Sequence, residues 1–434
     1  MNKNNNINQL DLFEDYFDNA DESRSSTFQD NMKLPIHKWY RYTAGFFFFL
    51  VGKLIEEEKK DGRNNIIDPF VGSGTVLVES AFHSVNAYGI ESHPYVNKIA
   101  KAKLQWMKSN TIDLIKECKL LLDRAIKKNV TRKEYPPLIS KCYPIETLRK
   151  LEALKLACLE IENKEVQDFT WFIITSILRS TSPVGTAQWQ YIQPNKTKSK
   201  VLDPFYAYLL KIKEIEEDIN MTKSRITDGS TQEVILEDSR NIQLIPKDWG
   251  DLVITSPPYA NNYDYADAMR LEMCFWDDIE GWKDLQNKVR VNLIRACTQH
   301  VGNQKNEIKR ILDSDILSCI STELHEKYKE LELEREHHGG KKNYHLMIAA
   351  YFYDMAQVFH SLNRVTNEKC KMCFVIGDSA PYGIYIPVDK WLGELAMSAG
   401  FKEYHFEKLR DRNIKWKNRK HRVPLKEGRL WINK

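Results

Sequence analysis

Short apolar runs that stop abruptly at a polar or turn-forming residue constrain this chain more than any other feature. Residues 64–70 (NNIIDPF), 87–91 (AYGIE), 233–238 (EVILED), 251–255 (DLVIT) and 371–378 (KMCFVIGD) are such runs. Without hydrophobic alternation, they suit strands buried on both faces of a sheet. Residues Val76 to Ser84 suit a helix, so the first two runs form a strand–helix–strand unit. Phe401–Leu409 and Arg429–Ile432 read as an antiparallel edge hairpin joined by a basic stretch. The expected architecture is an α/β sheet of five parallel strands with a terminal hairpin.

The intervals between these strands are long. From about 104 to 228 apolar positions recur at helical spacing, as in Leu148, Leu151, Leu154, Cys158 and Ile161, which predicts a helical subdomain. Residues 277–342 are charged and helical in pattern and end at His337-His338-Gly339-Gly340, a candidate substrate-facing insertion. Residues 1–30 are polar and acidic and read as a flexible tail.

Composition excludes several classes. No apolar run approaches the ~20 residues of a bilayer crossing, and the start of the chain lacks a signal-peptide pattern, so no membrane partner and a cytoplasmic location are expected. Eight scattered cysteines form no disulfide framework. The one C-x-x-C, Cys370 to Cys373, lies in a strand-like run without a second ligand pair, so no metal is expected. The net charge of +4 is uninformative, but Arg410, Arg412, Lys415, Lys417, Arg419, Lys420 and Arg422 crowd around Trp416 and could follow a line of phosphates. A solvated basic loop is the alternative.

Two constellations carry chemistry. Asp68-Pro69-Phe70-Val71-Gly72-Ser73-Gly74-Thr75 closes the first strand and opens the helix. Ligands of open α/β sheets bind outside the carboxyl ends of the strands, and glycines there let backbone approach closely. Glu91 ends the next strand, seventeen residues after Gly74, where a carboxylate can accept from ribose hydroxyls. Asp238 ends the following run and could accept from an adenine amine, or simply cap a helix. The third glycine of a dinucleotide fingerprint and the triphosphate loop are both absent, so a nucleoside without a phosphate chain fits the three acids best.

The second constellation, Ser256-Pro257-Pro258-Tyr259, directly follows DLVIT. Two prolines cannot continue a ladder or donate amide protons, and their carbonyls remain rigid acceptors. An exocyclic amine on a nucleobase is a poor nucleophile because its lone pair is delocalised. The Ser256 hydroxyl and Pro257 carbonyl could hold both amino hydrogens and localise that pair, while Tyr259 offers a stacking face for a flipped base.

Together these residues resemble the S-adenosylmethionine-dependent amino methyltransferases of DNA, especially the cytosine-N4 type. Asp68–Thr75 matches that family's cofactor motif and Ser256–Tyr259 its catalytic S-P-P-Y motif. The resemblance implies a class I methyltransferase-like, Rossmann-like α/β fold, mostly parallel, with a C-terminal antiparallel hairpin and helical insertions. It also implies that Asp68, Phe70, Gly72, Ser73, Gly74, Thr75, Glu91 and Asp238 hold S-adenosyl-L-methionine, and that Ser256, Pro257, Pro258 and Tyr259 grip the target amine. His37–Thr43 is similar to the family's N-terminal segment beside the methionine end, and Asn261–Tyr265 to the loop lining the base pocket. The implied catalytic domain comprises residues 31–103 and 229–434, with 104–228 as a helical subdomain and 277–342 as a candidate DNA-recognition insertion.

Duplex DNA is the expected partner, with phosphate contacts from Arg270, Arg295 and the 410–422 cluster, and a cognate restriction endonuclease is a possible second one. Serine at 256 favours cytosine N4 over adenine N6. An RNA guanine-N2 methyltransferase and a non-catalytic cofactor-binding regulator are the rival readings. No cysteine follows a proline, which disfavours C5 chemistry.

Overall fold

The computed structural model describes residues 28–42, 45–108, 110–186, 192–225, 229–302, 304–340, 342–412 and 423–434. Its strands are β1 (Asn65–Asp68), β2 (Asn86–Ile90), β3 (Val184–Thr186), β4 (Ile192–Thr197), β5 (Gln232–Ile235), β6 (Gly250–Thr255), β7 (Thr366–Gly377), β8 (Glu403–Arg412) and β9 (Leu425–Asn433). One mixed sheet runs β5-β2-β1-β6-β7-β9-β8. The first five of these strands pair in parallel, and β9 runs antiparallel to both β7 and β8. This is the expected fold, a mostly parallel α/β sheet of the class I methyltransferase type with a C-terminal antiparallel pair.

The apolar runs work as strands because successive side chains enter opposite cores. Ile66, Leu252, Ile254, Cys373 and Val375 pack on one face, with the helices Phe48–Lys60, Thr75–Phe82 and Pro94–Lys103. Ile67, Val253, Met372, Phe374 and Ile376 pack on the other, against Tyr344–Val365 and Val388–Ser398. Phe359, fully buried on the long helix, meets Phe374 with ring centroids 5.4 Å apart. Truncating such a ring to alanine costs about 3–5 kcal/mol. The same alternation sends Cys370 and Cys373 into different cores, so the two thiols do not converge on one ligand.

Residues 104–228 form the helices Thr111–Ile126, Pro137–Cys142, Ile145–Leu159, Lys164–Thr181 and Pro204–Thr222, as the periodicity predicts. They also contain the antiparallel β3–β4 pair, absent from the sequence reading because IQPNKT has no apolar alternation to signal a strand. The helices share the first core instead of enclosing one of their own: Trp39 packs on Phe169 and Phe172 at 6.2 and 6.4 Å. Asp218 accepts from the Ile36 amide at 3.1 Å and the Trp39 indole at 2.9 Å, and pairs with Lys38 at 2.7 Å. These bonds hold Ile36 at a φ of 64°, a strained value for a β-branched residue. On the opposite side His37 meets Glu79 at 2.7 Å. The segment before β1 is therefore pinned between the helix opened by the glycine turn and the helix Pro204–Thr222.

Within 277–342 lie the helices Trp282–Lys288, Lys305–Leu312 and Ser321–Glu334. Ile308, Leu324 and Leu331 bury into the second core, so this stretch is docked along the seven-stranded sheet. Among the described residues no helix is long and apolar enough to cross a membrane.

Candidate active site

The chain builds β1, then β2, then β5 outward in one direction, and β6 then β7 in the other, so the order reverses between β1 and β6. That junction is where open α/β sheets bind ligands. Ile66 and Ile67 stand opposite Leu252 and Val253 in parallel register, which brings the ends of β1 and β6 side by side. Thr255, the last residue of β6, donates from Oγ1 to Asp68 Oδ1 at 2.6 Å. The Phe70 amide donates to the same oxygen at 3.0 Å. Burial pushes the Asp68 carboxyl up to about 7, against the opposing pull of these two bonds. The glycine turn and the Ser-Pro-Pro-Tyr turn are thus braced together at their roots.

Gly72 and Gly74 have φ of 51° and 89°, left-handed values that favour glycine. A Cβ on Gly72 would stand 3.4 Å from the Tyr42 ring, and one on Gly74 3.4 Å from Ala100 Cβ. The turn is therefore held between the segment before β1 and the helix Pro94–Lys103. The Gly72 amide donates to Glu91 Oε2 at 3.0 Å and the His93 amide to Oε1 at 2.8 Å. Glu91 is half-buried, and desolvation lifts its carboxyl to about 7 despite those two amides. Ser73 is buried, and its hydroxyl has no hydrogen-bond partner among the described residues.

Asp238 follows β5 and is clamped by Arg240. The Arg240 amide donates to Oδ1 at 2.9 Å, its Nε reaches Oδ2 at 2.9 Å, and its Nη2 reaches Oδ2 at 2.5 Å. Ser239 Oγ donates to the Pro69 carbonyl, which ties this turn to the first. Asp238, Glu91 and Asp68 therefore follow adjacent strands on one edge of the sheet, and Ser256 follows the next strand.

In the second turn burial pushes the ionisation of the Tyr259 phenol well upward. The Tyr259 amide donates to the Tyr265 hydroxyl at 3.4 Å, and Ser379 Oγ donates to the Ala260 carbonyl. The following loop is stitched to residues 290–300. Thr298 donates from N and Oγ1 to Asn262 Oδ1 at 2.8 and 2.7 Å, and the Asn262 amide donates to the Ala296 carbonyl at 3.1 Å.

No family model matches this chain. It is similar to type II methyltransferase M.AvaI of Nostoc sp. (strain PCC 7120 / SAG 25.82 / UTEX 2576), with 30% identity across 86% of this chain and 81% of the relative. This chain belongs to the type II methyltransferases. It is also 25% identical to type II methyltransferase M.BsoBI of Geobacillus stearothermophilus across 89% of this chain and 82% of the relative. A third relative, type II methyltransferase M.MvaI of Kocuria varians, is 22% identical across 87% and 84%.

The basic residues of this type II methyltransferase divide sharply. Lys415, Lys417, Arg419 and Lys420 lie outside the described residues. Arg410 pairs with Glu427 at 3.1 Å. Arg412 lies over the Tyr259 ring at 5.4 Å from its centroid, donates to the Asp378 carbonyl at 3.2 Å and pairs with Glu427 at 3.4 Å. A Cβ at Gly377 would meet Arg412 Nη1 at 2.3 Å, so glycine there makes room for the guanidinium. Arg295, expected as a phosphate contact, is instead buried and bound to Asp354 at 2.7 Å. Arg270 pairs with Asp267 at 2.7 Å and lies over Trp282 at 4.1 Å.

Asp264, Cys297 and His300 offer atoms within 4.8 Å of one another, a spacing a cation could use. Arg290 donates from Nε to Asp264 Oδ2 at 3.1 Å, so a cation already occupies the carboxylate. Burial alone would raise the Asp264 carboxyl; hydrogen bonds from His300 and Arg290 win and hold it at about 2. The Cys297 thiol is pushed up to about 12 by burial, the wrong direction for a thiolate ligand. The trio is an ion-pair hub that fixes the loop after Tyr259. The sequence reading missed Arg240, Asp354, Arg290 and His300. Arg240, two residues after Asp238 and inside a turn, was the one with a local signal.

Proposed function

We propose that this type II methyltransferase transfers a methyl group from S-adenosyl-L-methionine to the exocyclic N4 amine of a cytosine flipped out of duplex DNA, as a modification enzyme with a cognate restriction endonuclease. The brace between Thr255 and Asp68 carries this reading, because it makes one cleft edge of the two turns. The cofactor supplies an electrophilic methyl on a sulfonium.

The residues present fit that cofactor. Gly72 and Gly74 keep side chains out of the turn, and the Ser73 hydroxyl, without a hydrogen-bond partner among the described residues, sits within it. Glu91 accepts one amide on each carboxylate oxygen, which leaves further lone pairs for ribose hydroxyls. Asp238 stands one strand farther out, at the place for an adenine amine. Asp68, Phe70 and Thr75 shape the turn between them.

On the target side, the Ser256 hydroxyl and the Pro257 carbonyl accept the two amino hydrogens and draw the nitrogen lone pair out of conjugation, while Pro258 stiffens the turn. Tyr259, backed by Arg412, stacks on the base. Alignment and fixed acceptors supply the catalysis, and no covalent enzyme intermediate forms. Residues 31–103 and 229–434 constitute the catalytic domain, 104–228 a helical subdomain that clamps the segment before β1, and 277–342 the part that faces DNA. Arg410 and the Lys415, Lys417, Arg419 and Lys420 stretch contact phosphates, with Arg412 at the pocket end of that path.

Transfer of a labelled methyl group to duplex DNA and to transfer RNA tests the reading. Labelled DNA with wild type and loss of label with Ser256→Ala support it; label in RNA alone overturns it.

A further inference from the structure

The chain of charges behind Asp238 does more than cap a turn. Arg240 bridges two acids, binding Asp238 with its Nε and Nη2 and approaching Asp354 Oδ1 with Nη1 at 3.4 Å. Asp354 is fully buried on the helix Tyr344–Val365. Its carboxylate is fixed in turn by Arg295, through the amide at 2.9 Å and Nη2 at 2.7 Å. Ser361, on the same helix, donates to the Arg240 carbonyl at 2.9 Å, so backbone and side chain of Arg240 are both anchored to one buried element.

A carboxylate accepts roughly four hydrogen bonds. Three N–H groups of Arg240 already occupy Asp238. The remaining capacity belongs to a group approaching from outside, and the side chain is 34% exposed. A free aspartate can rotate to greet either a donor or water; this one cannot swing without breaking its hold on the guanidinium. What is left is an acceptor with one vacancy and a fixed direction.

We infer that Arg240, anchored by Asp354, is a positioning residue that makes Asp238 selective for a purine bearing an amino group at carbon 6, in preference to one bearing a carbonyl there. An oxo group would set oxygen against carboxylate oxygen, and the clamped side chain has no second orientation to relieve the repulsion. The inference rests on the proposed role of Asp238 toward adenine and adds to it the source of the discrimination.

The test is calorimetric binding of S-adenosylhomocysteine and S-inosylhomocysteine to the full chain, with no turnover required. Wild type should prefer the adenosyl compound by roughly tenfold to a hundredfold, the range of one charge-assisted hydrogen bond. Asp238→Asn should erase most of that ratio. Arg240→Gln should reduce it by about tenfold, while Asp354 keeps Arg295 as its buried counter-charge. Arg240→Lys, which keeps the charge but lacks the fork that spans both acids, should fall with it; it is the second variant should glutamine disturb folding.

If Asp238→Asn erases the preference and both Arg240 variants retain it in full, the inference is overturned while the role of Asp238 stands. If wild type binds both compounds equally, or Asp238→Asn leaves the ratio intact, the reading beneath it fails and the inference goes too.

Discussion

Thr255 and Asp68 lie far apart along the chain, yet their side chains share a buried hydrogen bond of 2.6 Å at the junction of β6 and β1. Each is the last residue of its strand, so the bond fixes the spacing of the two turns that follow. Thr255→Val keeps the shape and removes the donor. We expect a loss of about 1 kcal/mol in stability, the net worth of one hydrogen bond, since the Phe70 amide still serves the same oxygen, and slower methyl transfer; thermal melts and single-turnover rates measure the two.

Asp68 also sets a pH dependence. Its carboxyl is raised from 3.8 to about 7 by burial, so the folded protein holds a proton that the unfolded chain releases. Its contribution to stability is full below about pH 4 and is lost as pH rises through about 7. Melting temperature should show that decline, and Asp68→Asn should flatten it in this window.

Glu91 titrates in the same range for a different consequence. Desolvation holds its carboxyl at about 7. Ribose hydroxyls that donate to it favour the ionised form. Cofactor binding should therefore release a proton, and affinity should rise with pH to about 7 and level off above. Calorimetry in buffers of different ionisation heat measures the proton count; Glu91→Gln should abolish it.

Much of this site was legible in the sequence, for a physical reason. β1 and β6 are short, almost wholly buried runs, and the glycines and prolines that stop them are themselves the residues proposed to do the work. The acids at 91 and 238 could be placed because a parallel sheet puts all carboxyl ends on one edge. Arg240, Asp354 and Arg295 were not legible as a set, since their pairing depends on how the helix Tyr344–Val365 docks across β6 and β7. Arg295 reads as a surface cation by residue type alone, and its burial is decided by Asp354. The β3–β4 pair escaped because β3 has only three residues and β4, IQPNKT, has no apolar alternation.

Asp264 tests the loop after Tyr259. The residue accepts from Arg290 and His300, and with its carboxyl held near about 2 its stabilising contribution persists above the ordinary carboxylate range and disappears as pH falls through about 2. Asp264→Asn leaves Arg290 buried without its counter-charge, which should cost about 3–5 kcal/mol. A chelator should leave the wild-type melting temperature unchanged, because the guanidinium already fills the place of a cation; a chelator-induced drop would contradict this account of the hub.

Ser256 separates binding from chemistry. Ser256→Ala should leave cofactor affinity within about twofold and reduce the single-turnover rate by roughly a hundredfold, as loss of one preorganised polar partner does at a reacting atom. Equal losses in affinity and rate would contradict its assignment to the target amine.

The most direct measurement of the central claim is mass spectrometry of nucleosides from duplex DNA incubated with the enzyme and isotopically labelled S-adenosylmethionine. The account predicts label in 4-methylcytosine; label confined to 6-methyladenine, or a methyl on carbon 5 of cytosine, would contradict it.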